Sequence, residues 1–412
     1  MCVNDSKSGK GLLLATGDLP EGVASAMRIR LLAAALHEGG IPIVIGLVHP
    51  TLKYPVLGNN AISGVLSGVR YTYLNGRVVR PMTITGAIWD TLSGILSATR
   101  LILAKGERKP AFVIFYTPTY WEMIVPMFAA RCRGIPIFIE ACEIWSSIAA
   151  FERLGTVRRL VESGNRWFEY LIPRWARGVI AISTSISDFY KKRGMRDENI
   201  FLLPILVVVK DYQIQSDVFV PDLKGVSYFL NSGTFSTKDG VSYLLEAFAQ
   251  IADEFPDAHL VFTGNVSEPV RRQLTRLFSD GTTRKRIWFV GFLPREQLVW
   301  AYQNARALLS CRPSNAFANY GLPTKLAEYL SSGTPVIATR VGDVERYLTD
   351  GEDAYIAQPE NPQSIAECMR RILSDPKNAQ RVGRRGQCTA VKYFSYQSYS
   401  QPLSEFVQRH IR

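Results

Sequence analysis

Residues 321–336 read GLPTKLAEYLSSGTPV. Pro323 and Thr324 suit a helix start, because proline fits the first turn and threonine can satisfy a free amide there. On a helix running to about Ser332, Leu326 and Leu330 share one face, while Thr324, Lys325 and Glu328 cluster on another. A turn of small residues follows, and Pro335 to Ala338 reads as a buried strand. The stretch is therefore one helix–turn–strand unit of an α/β fold.

The same alternation extends outward from it. Tyr228 opens a strand, and His259 to Thr263, Ile287 to Phe289 and Ala307 to Ser310 continue the series with helices between. An earlier series runs through Leu12 to Thr16, Ile43 to Leu47, Phe112 to Tyr116, Ile137 to Glu140 and Val179 to Ser183. Its clearest helix is Val23 to His37, where Ile29, Leu32 and Leu36 recur at helical spacing. Alternation of this kind predicts parallel sheets covered on both faces. The expected organisation is a Rossmann-like domain over 1–204, a linker over 205–226, a second Rossmann-like domain over 227–396, and a C-terminal helix over 397–412 that crosses back to the first domain. Two doubly wound domains facing across a cleft would bring the carboxyl ends of both sheets, where such sheets bind ligands, to opposing walls.

Composition narrows the class. With 47% apolar and 20% charged residues in 412, the chain is globular and long enough for two cores. Its apolar runs fall well short of the roughly 18 residues of a membrane span, and the start of the chain lacks the apolar region of a secretory signal. A cytoplasmic location is expected. The 6 cysteines are widely spaced without a C-x-x-C pair, which suits reduced thiols better than disulfides or zinc. The net charge of +12 favours an anionic partner: nucleic acid, an anionic membrane or a phosphate-bearing substrate.

Several residues suit phosphate and ribose chemistry. The Glu328 carboxylate can accept hydrogen bonds from vicinal hydroxyls, and the Lys325 ammonium can offset a phosphate charge; a solvated ion pair is the bland alternative. Lys238, in TKDG, is either a phosphate ligand or a solvated loop lysine. Gly264 and Gly291, with Phe292, follow strands and read either as ordinary turns or as backbone edges for a ligand. Gly17 to Gly22 forms a tight strand-to-helix connection without the G-x-G-x-x-G of a dinucleotide site. Arg28 and Arg30 lie on the following helix, either exposed or reaching a phosphate. No D-x-D carboxylate pair is present, so neither a metal nor a cofactor is expected.

The segment 321–336, followed by IATRVGDVERYLTDGEDAYI, resembles the donor-binding region of family-four GT-B glycosyltransferases, the glycosyl transferases group 1. GDLPEGVASAMRIRLLAAAL resembles the first loop and helix of that family, and NSGTFSTKDGVSYLLEAF the start of its second domain. HLVFTGN and WFVGFLPREQLVWAY match in order and spacing. The resemblance implies a retaining, metal-independent transferase acting on a nucleotide-diphosphate-sugar, with Glu328 on the ribose and Lys238 and Lys325 on the diphosphate. It places Gly22, Gly233, Gly264, Gly291, Phe292, Tyr320 and Thr324 around the donor, and Arg28 and Glu143 on the acceptor side. Two positions depart from it: Tyr320 stands where the family has a sugar-binding glutamate, and Thr234 where it has an arginine. No histidine matches the family's cleft histidine. A nucleotide-sugar 2-epimerase on the same fold and a catalytically silent binding subunit remain open alternatives.

Residues 151–177 interleave Arg153, Arg158, Arg159, Arg166, Arg174 and Arg177 with aromatic and aliphatic side chains. Such a stretch can dock on an anionic membrane beside a glycan or polyprenyl-linked acceptor, or simply pack with a basic face outward. No nucleic-acid-binding motif accompanies it, so no nucleic-acid partner is expected.

Overall fold

The computed structural model describes residues 10–22, 24–54, 59–116, 120–144, 167–214, 218–233, 240–264, 272 and 281–411. The chain divides into two compact units, Met1–Leu206 with Tyr396–Arg412, and Val207–Ser395.

In the first unit the strands are β1 (Gly11–Ala15), β2 (Ile43–Leu47), β3 (Ser63–Leu66), β4 (Val69–Tyr73), β5 (Val113–Tyr116), β6 (Ile137–Ala141), β7 (Gly178–Ala181) and β8 (Ile200–Leu202). They form one sheet in the order β3-β4-β2-β1-β5-β6-β7-β8. All neighbours are parallel except the β3–β4 pair at the edge. Strands β1, β5, β6 and β7 are buried at every position, as a sheet covered on both faces requires. The β3–β4 pair has no counterpart in the sequence reading. Its residues SGVLSGVRYTY alternate exposed and covered positions and hold no continuous apolar run.

Helix α1 (Ala24–Glu38) begins and ends within a residue of its expected bounds. Helix α2 (Ile84–Leu103) starts where the Thr83 side chain accepts a hydrogen bond from the Gly86 amide, an N-cap. Helices α3 (Ile124–Cys132) and α4 (Thr184–Lys191) follow. The C-terminal helix, Ser400–Ile411, lies along α1. Tyr396 Oη donates to Glu38 Oε1 at 2.5 Å, and the Phe406 ring meets Phe138 of β6 at 6.0 Å.

The second unit holds β9 (Ser227–Ser232), β10 (Ala258–Thr263), β11 (Ile287–Phe289), β12 (Ala307–Ser310), β13 (Val336–Thr339) and β14 (Tyr355–Ala357). Their order is β11-β10-β9-β12-β13-β14, parallel throughout. Helices α5 (Val241–Ile251), α6 (Arg295–Gln303), α7 (Thr324–Ser331), α8 (Pro362–Ser374) and α9 (Pro376–Tyr393) cover it. Phe229, Leu244, Phe248, Leu260, Ile337 and Ile365 are among its fully buried core. Strand order reverses beside β9, between β10 and β12, and open α/β sheets take their ligands outside the carboxyl ends at such a point. Residues 209–212, within the expected linker, form a 3-10 turn that packs against α7.

Candidate functional site

Three glycines line the carboxyl edge of the second sheet. Gly233 follows β9, Gly264 follows β10 and Gly291 lies just beyond β11. The Gly233 amide donates to Thr263 O at 3.0 Å and the Gly264 amide to Gly291 O at 2.7 Å. Their φ angles are 151°, 133° and 71°, values that disfavour a side chain. At Gly291 a Cβ would meet nothing within 4 Å, so there the demand is conformational and the edge lies open. Phe292 extends from this edge, 87% exposed.

The end of β9 anchors α7. Ser232 donates its amide to Tyr329 Oη at 2.9 Å, and its carbonyl accepts from Lys325 Nζ. The Ser232 hydroxyl lies 2.8 Å from Tyr302 Oη and 2.9 Å from Tyr329 Oη. Helix α7 buries Leu326, Ala327, Tyr329 and Leu330 and leaves Thr324, Lys325 and Glu328 half-buried, the face its spacing predicts. Thr324 occupies the first helical position rather than the cap; Pro323 caps the helix and offers no side-chain acceptor to the first amides.

Glu328 is held from beneath. Tyr212, from the 209–212 turn, hydrogen-bonds its carboxyl, stacks on Tyr302 at 6.3 Å, and lies under the Arg295 guanidinium at 5.5 Å. Arg295 in turn bonds Asp211 at 2.7 Å. Burial pushes the Glu328 pKa above the usual carboxylate range, against the opposing pull of the Tyr212 hydroxyl and of the Arg295 and Lys325 charges. Tyr212, Tyr302, Tyr329 and Arg295 carry no role in the sequence reading: Arg295 and Tyr302 fall in the stretch 288–302 and Tyr329 in 321–336, but nothing in the order of residues shows that these stretches meet Tyr212 at Glu328 and Ser232.

Tyr320 lies half-buried in a pinned loop. Asn315 Oδ1 accepts from the Ala318 amide at 2.8 Å, and a Cβ on Gly342 would come within 3.1 Å of the Ala318 and Gly321 carbonyls. Lys238 and Thr234 lie outside the described residues.

The first unit places the acceptor-side candidates differently. Arg28 is neither exposed nor free to reach a phosphate: it is 5% exposed, donates from Nε to Glu140 Oε1 at 2.7 Å and from Nη2 to Leu203 O at 2.8 Å, and also binds Pro204 O. Burial would lower the Arg28 pKa, but Glu140 holds it above its usual value; burial raises Glu140 in spite of Arg28. A buried carboxylate needs a buried cation, so the guanidinium is committed to structure. Glu143 is half-buried just past β6. Gly22 answers a packing need, since a Cβ there would lie 2.7 Å from Asp18 O and 2.8 Å from Ala26 Cβ.

His49, which matches no motif, is buried past the end of β2, with Nε2 at 3.0 Å from Glu122 Oε2 and the Arg80 guanidinium against its ring. Nearby, Asp18 accepts from the Thr51 and Leu52 amides at 3.0 and 3.2 Å. Of the basic stretch 151–177, residues 151–166 lie outside the described residues. Residues 167–175 are helical, with Trp167, Tyr170 and Arg174 exposed. No helix among the described residues is long and apolar enough to cross a membrane.

Residues 214–388 match the family glycosyl transferases group 1. Most of the second unit lies within that match. Every donor-side candidate from Gly233 to Glu328 falls inside the matched residues, and Tyr212 stands just before them. An MMP alpha-(1->4)-mannosyltransferase of Mycolicibacterium hassiacum is 27% identical over 57% of this chain and 55% of its own length. An alpha-1,3/1,6-mannosyltransferase of Dictyostelium discoideum is 21% identical over 72% of this chain and 78% of its own. The chain thus spans just over half of the first relative and about three quarters of the second. The crystal structure of Anabaena HepE in complex with UDP and glucose superposes with a TM-score of 0.70 at 16% identity, over 97% of this chain and 100% of that one. The fold is GT-B.

Proposed function

We propose that the protein is a retaining, metal-independent glycosyltransferase that moves a hexose from a nucleotide-diphosphate-sugar to a hydroxyl of a glycan or polyprenyl-linked acceptor. The observation that carries this reading is the partly desolvated Glu328 carboxyl, held by Tyr212 and Arg295 on a helix fastened to the end of β9 through Lys325. An ionised carboxylate only accepts hydrogen bonds, which suits a ribose diol; Tyr212, Arg295 and Lys325 favour that ionised form. Lys325, together with Lys238, offsets the charge that develops on the departing diphosphate. The open edge of Gly264, Gly291 and Phe292 takes the base. HepE, which shares the fold, forms complexes with UDP, which supports a nucleotide donor.

Thermal-shift measurements with UDP, GDP, ADP and CDP and their sugars, in EDTA, test the site. Selective stabilisation of the wild type that disappears in Glu328→Ala is expected, followed by acceptor-dependent release of the nucleoside diphosphate. If no nucleotide stabilises the protein even at roughly millimolar concentration, the reading fails. Tyr320 and Thr234, standing where the resemblance calls for glutamate and arginine, favour a second reading as a silent nucleotide-sugar-binding subunit. Donor binding without turnover in any acceptor mixture would support it.

A further inference from the structure

Helix α2 is apolar on the side that faces solvent. Ile84, Ile88, Trp89, Leu92, Leu96 and Leu103 are all exposed, from 46% at Leu92 to 81% at Ile84. They fall on one stripe at helical spacing. The buried side holds Asp90, Thr91, Gly94, Ile95, Ala98 and Ile102. Gly94 sets that arrangement, since its Cβ would lie 1.9 Å from Val48 O; the helix sits close to that backbone at Gly94, buries Ile95 and Ile102, and turns its other large aliphatic side chains outward. The only carboxylate of α2, Asp90, is buried and accepts from Asn75 Nδ2 at 2.6 Å.

The apolar face continues onto neighbouring helices. Helix α3 packs along α2 and exposes Val125 and Phe128. Phe128 lies 6.5 Å from the ring of Trp175, in the helical residues 167–175, where Trp167 and Tyr170 are also exposed. Basic side chains border it: Arg100 on α2, Arg131 on α3 at 5.9 Å over Trp175, and Arg174. The turn after α2 adds Lys105, Arg108 and Lys109 against Glu107. The 20 residues of α2 extend about 30 Å, so the exposed surface exceeds the scattered apolar residues usual on a soluble monomer.

We propose that this face of the first unit docks on an anionic lipid bilayer, with the α2 stripe and Phe128 entering the headgroup boundary and the arginines meeting lipid phosphates. Aliphatic side chains supply the burial, tryptophan and tyrosine suit the interface, and the basic border supplies charge attraction. A second copy of the chain fits less well, because an isologous contact through this face would oppose its own basic border. The inference concerns a surface of the first unit and does not depend on the proposed activity.

Sedimentation of the full chain with vesicles tests it, using phosphatidylcholine alone and phosphatidylcholine mixed with phosphatidylglycerol. The wild type is expected to partition onto the mixed vesicles, less onto the neutral ones, and less again in high salt. Ile88→Glu/Leu92→Glu/Leu96→Glu changes only exposed positions and is expected to lower partitioning by at least about tenfold with an unchanged Tm. Arg100→Glu/Arg131→Glu, an independent variant, is expected to remove the preference for the mixed vesicles. Glu328→Ala should bind vesicles as the wild type does. Failure of the wild type to sediment with either vesicle, or wild-type partitioning by both variants, overturns the proposal. So does a wild-type dimer that the triple variant abolishes without any vesicle binding.

Discussion

Glu328 joins two opposed demands in one side chain. In the proposed donor site its carboxyl would be ionised to accept two hydrogen bonds from a diol, while burial raises its pKa. Because the folded chain binds that proton more tightly than the unfolded one, unfolding free energy falls as pH rises from the ordinary carboxylate pKa through the raised folded value. Glu328→Gln keeps the shape and removes the charge. The variant is expected to lose this slope, to gain stability at neutral pH with a Tm rise of about 2–4 °C per kcal/mol, and to lose nucleotide binding. Thermal unfolding from acid to neutral pH, with and without nucleotide, checks all three. The spacing of Lys325 and Glu328 on one helix face is legible in the sequence. Tyr212 and Arg295 are not, since what brings them to Glu328 is the packing of residues far apart in the chain.

At the scale of elements, buried polar contacts hold the strand ends in register with the helices. In the second unit Lys325 and Tyr329 fasten α7 to Ser232. In the first, Arg28 ties α1 to β6 through Glu140 and to the chain at Leu203 and Pro204. Arg28→Met would leave Glu140 buried without its cation, and a loss of about 3–5 kcal/mol is expected. Arg28→Met/Glu140→Leu should recover most of it, because two apolar groups remove the desolvation cost together. Urea denaturation of the three proteins measures this; an equally unstable double variant would mean that the pair does more than cancel two charges. Helix α1 was readable from its apolar spacing, but the fate of Arg28 was not: an arginine between apolar residues looks the same in sequence whether it meets solvent or a carboxylate on a strand more than a hundred residues later.

For the whole molecule, each unit has its own sheet and buried core, and domains of this kind can unfold separately. Calorimetry is expected to show two transitions. A nucleotide that binds the Val207–Ser395 unit should raise only one of them, by about 2.7 kcal/mol at a hundredfold excess over Kd; equal movement of both would place nucleotide contacts in the first unit as well. The sequence by itself determined the alternation of strands and helices, most strand positions, the helix after Gly321 and the common face of Thr324, Lys325 and Glu328. All of these follow from local periodicity. Only the tertiary structure decided the β3–β4 pair, the tyrosines beneath Glu328, the burial of Arg28 and the outward apolar face of α2. Each depends on which distant residue is met: Gly94 against Val48 turns most of the large side chains of α2 towards solvent, and periodicity alone shows that a helix has an apolar stripe without showing which side the protein covers.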